Sequence, residues 1–98
     1  MSETNDALAG KFPLGQLAAT PAALRALATA GQSPAAFLAR HRAGDWGEVG
    51  AADWRANDSA LRHGGRLLSA YRTAKSVRLW VITEADRSVT SVLLPEEY

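Results

Sequence analysis

The chain changes period at Gly64-Gly65, and that break decides its fold class. Before it, apolar residues recur at helical spacing between clear stop and start signals; after it, apolar and polar residues alternate as far as Pro95. Helices feeding strands within 98 residues make an α+β domain, and the length leaves no room for a second one.

Two helices are well marked. Thr20-Pro21 and Ser33-Pro34 each place a capping hydroxyl before a proline at the first helical position, where its missing N–H costs nothing. They predict helices over 21–30 and 34–43, ended by Gly31 and Gly44, with Leu24 and Leu27 anchoring one and Phe37 and Leu38 the other. Arg40 and Arg42 fall in the last turn of the second, and His41 reads there as a helix C-terminal residue. A third helix is expected over 51–62. Its Trp54 and Leu61 share a face, but Asn57 and Asp58 lie between them, so its apolar stripe is thin. Residues 1–10 read as a frayed leader, and the domain proper as 11–98. Phe12, Leu14 and Leu17, around Pro13 and Gly15, suit a short extra strand near residues 11–17.

Beyond the glycines the alternation predicts strands over 66–73, 77–84 and 88–94, joined at Ala74-Lys75 and Ala85-Asp86-Arg87 into a three-stranded antiparallel meander. Pro95 and two glutamates then read as protection of an edge. A turn at Ala74-Lys75 fixes register, and register sorts side chains between faces. One face becomes Leu68, Ala70, Val77, Leu79, Val81, Val92 and Leu94, an apolar surface for the first two helices. The other becomes Leu67, Ser69, Tyr71, Arg78, Trp80, Ile82, Glu84, Val89, Ser91 and Leu93. On this mixed face Tyr71, Arg78, Trp80 and Glu84 are the candidate binding residues, because Trp, Tyr and Arg are enriched where partners dock. The competing reading buries Trp80 under the third helix or the N-terminal segment.

Composition narrows the chemistry. With no cysteine there is no disulfide, no thiol catalysis and no Cys-based metal site, which fits a reducing cytoplasm. No stretch reaches the roughly 18 to 20 apolar residues of a membrane span, and no signal peptide opens the chain. The net charge of +1 gives no bulk argument for nucleic acid. Between positions 55 and 78, however, Arg55, Arg62, Arg66, Arg72, Lys75 and Arg78 meet one acid, Asp58. In the register above, Arg66, Arg72 and Arg78 scatter over both faces, as a solvated charge run does. The two histidines, His41 and His63, lack metal-ligand spacing, and there is no phosphate loop or nucleophile elbow, so no metal and no cofactor are expected.

The block WVITEADRSVTSVLLPEEY, with HGGRLLSAYRT before it and LGQLAATPAALRALATAGQSPAAFLARHRAGDWGE earlier, resembles a family of small uncharacterised bacterial proteins carried on plasmids and integrated mobile elements. The resemblance implies a cytoplasmic, mobile-element setting and carries no catalytic residues with it. On this reading the chain is a non-enzymatic accessory protein that binds a protein, with nucleic acid second, through the mixed face. The alternative rests on architecture: helices followed by a meander are similar to the RelE-like and colicin-like ribonuclease toxins, which need no metal. That likeness would make His63 the acid/base, give phosphate to Arg72 or Arg78, and use Tyr71, Thr90 or Tyr98 as helpers.

Overall fold

The computed structural model describes residues 10–98, so the leader expected over 1–10 lies, except for Gly10, outside the described residues. Strand β1 (Gln16–Ala19) comes first, then helices α1 (Pro21–Thr29), α2 (Pro34–Arg42) and α3 (Ala51–His63). Strands β2 (Leu67–Arg72), β3 (Arg78–Thr83) and β4 (Val89–Leu93) follow, and a 3-10 turn covers Pro95–Glu97. All three helices lie where the proline and glycine signals put them. The Thr20 hydroxyl caps α1 by accepting from the Ala23 N–H at 3.1 Å, whereas Ser33 makes no side-chain cap bond on α2.

The sheet is mixed and four-stranded, in the order β1-β4-β3-β2. The expected meander is present as β2, β3 and β4, but β4 is interior because β1 pairs parallel to its far side. Pro95 and the glutamates therefore guard no edge; they form the 3-10 turn.

Register departs from expectation in one hairpin, and with large effect. The link from β2 to β3 holds three residues between the closing pair Thr73 and Val77, not two between Thr73 and Ser76. The Thr73 N–H donates to the Val77 carbonyl at 2.9 Å, and Ser76 takes φ 65°, the left-handed residue that closes a three-residue loop. One extra residue turns β2 over. Leu67, Ser69 and Tyr71 now oppose Thr83, Val81 and Leu79 on the helix side, while Leu68, Ala70 and Arg72 face away. The second hairpin keeps the anticipated register, with Val81 opposite Val92 and Trp80 opposite Leu93.

The helix side of the sheet is the core. Ala23 and Leu27 of α1 and Phe37 and Leu38 of α2 pack on Tyr71, Leu79, Val81 and Val92. A second cluster joins Phe12, Trp46 and Leu67 to Trp54, Ala60 and Leu61, bringing α3 against the β2 end of the same layer. Burying one such aliphatic or aromatic side chain contributes about 1.5–3 kcal/mol. The polar residues that thin the α3 stripe are its working face. Asn57 is its one buried residue, and its amide donates to the Leu68 carbonyl at 2.8 Å and accepts from the Leu68 N–H at 3.1 Å. Asp58 accepts from the Trp46 indole N–H at 3.0 Å.

Asn57 imitates a neighbouring strand at Leu68, and a single isolated bridge from Gly47 does so at Ala70. The Ala70 N–H donates to the Trp46 carbonyl at 3.0 Å, and its carbonyl accepts from the Glu48 N–H at 2.6 Å. Gly47, at φ 75°, sits between them; a Cβ there would collide with the Ala70 carbonyl and the Tyr71 ring. The outer edge of β2 is thereby closed.

Candidate functional site

The even-numbered side of β2 and β3 carries no α-helix; the 3-10 turn borders it at β3, and Ile82 on this side is buried. Arg66 just before β2, Arg72, Arg78 and Trp80 all have this parity, so three cations expected to scatter share one face with the indole. Arg72 stands directly opposite Arg78, a like-charge pair that is costly on its own. Glu48 relieves half of it by accepting from the Arg72 Nε at 2.8 Å, a bond between half-exposed side chains. Arg66 and Arg78 have no carboxylate partner among the described residues.

The last residues lie beside this face. The Glu97 carboxylate accepts from the Leu94 N–H at 2.8 Å and from the Thr20 hydroxyl at 2.7 Å, and these bonds hold it below the usual carboxylate range. The turn so fixed brings the Tyr98 ring edge-on to Trp80, centroids 5.6 Å apart, while the Arg66 guanidinium carbon stands 5.3 Å from the Tyr98 ring centre. Tyr98 is 62 % exposed. Next to Trp80 a cup of about 60 Å³ is lined by Glu48, Ala70, Tyr71, Arg78 and Trp80.

Of the four anticipated binding residues, the structure joins Arg78 and Trp80. Tyr71 belongs to the core: it is 2 % exposed, its ring lies 5.4 Å from Phe37, and its hydroxyl donates to the Asp45 carbonyl at 2.6 Å. Burial pushes its phenol up to about 12. The three-residue loop is the physical reason, since it reverses β2. Glu84 is exposed at the far end of β3, four residues and roughly 13 Å from Trp80. The residues of the nuclease reading do not converge either. His63 is exposed at the end of α3, and Tyr71 and Thr90 are shut in the core, so of that set only Arg72, Arg78 and Tyr98 lie on or beside the helix-free face.

Sequence reasoning missed a polar cluster inside the protein. His41 lies in the last turn of α2, as expected, but it is completely buried, with Phe12 and Trp46 edge-on to its ring. Its Nδ1 lies 2.6 Å from the Ser69 hydroxyl and its Nε2 lies 2.8 Å from the Thr83 hydroxyl. Thr83 lies 2.7 Å from Thr90, which donates to the Leu14 carbonyl at 2.7 Å. One proton per hydroxyl sets every direction in this chain. Thr90 spends its proton on Leu14, so Thr83 must donate to Thr90. Thr83 then accepts from His41, whose Nε2 carries the hydrogen, and Nδ1 accepts from Ser69. Burial, with the nearby Arg87 charge adding to it, lowers the His41 pKa to about 4, so the ring is neutral at pH 7. The signal was present: His41 lies four and three residues after Phe37 and Leu38, on the buried side of α2.

Among the described residues no group of three or more His, Asp and Glu side chains could hold a metal ion, and no helix is long and apolar enough to cross a membrane. Neither a family model, nor a curated protein, nor a solved structure matches the chain.

Proposed function

We propose that the chain is a non-enzymatic binding module, an accessory protein of a mobile element in the setting its C-terminal block suggests, and that it docks an acidic segment of a protein partner on the helix-free face of its sheet. The observation that carries this is the convergence of Arg66, Arg72 and Arg78 with Trp80 and Tyr98 on that face, two of the cations lacking a carboxylate partner among the described residues. Arginines beside partly open aromatic rings are the pairing from which binding hot spots are built. Charge complementarity selects an acidic partner, and the rings select one that also offers an apolar side chain.

The test reads binding by titration calorimetry, which needs no reporter group in the site. Peptides rich in Asp and Glu with one aliphatic or aromatic residue are titrated at low salt against the same peptides with lysine in place of the acids. Acidic peptides should bind, and Trp80→Ala or Arg78→Glu should weaken them by about 2 kcal/mol, roughly thirtyfold. Equal binding of acidic and basic peptides, or stronger binding of a single-stranded oligonucleotide, would remove the proposal.

A further inference from the structure

Among the described residues, nothing covers the opposite edge of the sheet, at β1. The N–H groups of Gln16 and Thr20 are spent on the Ser88 and Val92 carbonyls of the β4 side, at 2.9 and 3.0 Å. With the two-residue period of a strand, the N–H and C=O groups of Leu17 and Ala19 therefore point outward. Nothing in β1 defends them, since its sequence, Gln-Leu-Ala-Ala, contains no charge and no proline. Two of the three exposed large apolar side chains among the described residues belong here: Leu17, 59 % exposed, on β1, and Leu24, 45 % exposed, on the helix that leaves it.

We infer that this edge pairs with β1 of a second copy of the chain, antiparallel, to make a closed two-fold dimer with one eight-stranded sheet. The choice of occupant follows from the two edges. A second copy cannot add through its β2 edge, which Trp46, Glu48 and Asn57 have already taken. Only β1 remains, so the contact is isologous and stops at two copies. The local sequence is self-complementary. Centring the pair on Ala18 sets Leu17 opposite Ala19 of the other copy twice over, which makes four hydrogen bonds from the four outward residues. The two Ala18 methyls then meet at the narrow, non-hydrogen-bonded position on the axis, where small side chains are required. The two-fold axis runs through the sheet, so both Trp80 faces look the same way. The inference stands apart from the docking proposal, because it uses the sheet edge and none of the arginines.

Hydrogen exchange and sedimentation of the full chain test it together. The dimer fraction should rise with concentration, and the Leu17 and Ala19 amides should become protected in step with it. Ala19→Pro removes one outward donor per copy without taking a β1–β4 bond, and should weaken dimerisation roughly tenfold or more. Leu17→Lys, at a side chain exposed in the single chain, should do the same with its thermal unfolding retained. Trp80→Ala should leave the dimer unchanged. A chain that stays monomeric as concentration rises, amides at 17 and 19 that exchange freely at all concentrations, or a dimer indifferent to both edge variants would overturn the inference.

Discussion

β2 and β1 end the same sheet and are finished in opposite ways. Along β2, outside groups occupy the unpaired backbone: the Trp46-Gly47-Glu48 segment bonds Ala70 on both sides, and the Asn57 amide does so for Leu68. Along β1, the alternate backbone groups of Leu17 and Ala19 have no such cover among the described residues. The difference teaches that sealing an edge takes specific polar equipment. β2 needs a glycine with positive φ, a buried amide and a tryptophan held by Asp58; β1 has only short side chains.

The largest expected effect comes from breaking the sealed edge at its glycine. Gly47→Ala forces a left-handed alanine against backbone and should destabilise the fold by on the order of 3 kcal/mol, read from urea unfolding. Gly31→Ala is the control. It shares a positive φ but meets no atom within 4 Å, and should cost about 1 kcal/mol.

Acid should act almost as strongly, and across the sheet from edge to edge, because the His41 chain runs from Ser69 on β2 to Leu14 ahead of β1. The folded-state pKa, about 4, is below the unfolded value of 6.5. The unfolded chain therefore takes up the proton first. The contribution is full above pH 6.5 and falls away as pH drops towards 4, a loss of about 3 kcal/mol. Comparing urea midpoints of wild type and His41→Gln across that window checks it: the variant's slope should be flatter.

Asn57→Ala should cost about 2 kcal/mol by stranding the Leu68 N–H and carbonyl, and should expose β2 amides to hydrogen exchange. At the open edge, Leu17→Lys should change the stability of the single chain by less than about 0.5 kcal/mol. A large loss there would show that β1 is sealed after all.

Much of the architecture was legible in the residues. Proline beside a hydroxyl, and glycine after a run of alanines and leucines, mark α1 and α2 because each acts on the backbone within a few residues. The β3–β4 faces could be read for a similar reason. The β2 faces could not, because the shift depends on Ser76 taking a left-handed conformation, which a serine rarely adopts and the sequence does not announce. From that one residue follow the misplacement of Tyr71 in the site and the apparent scattering of three arginines that share a face. Asn57 and His41 escaped notice for another reason. A polar residue on a buried stripe reads as a defect until its partners, which lie far away in the chain, are known.

Those distant partners impose an assembly condition. Leu14, His41, Ser69, Thr83 and Thr90 lie on five separate segments, and the closing bond joins residues 76 apart. Until every segment has arrived, each hydroxyl withdrawn from water is a cost without return. The link therefore rewards only the finished arrangement and penalises a β2 that docks one residue out of step.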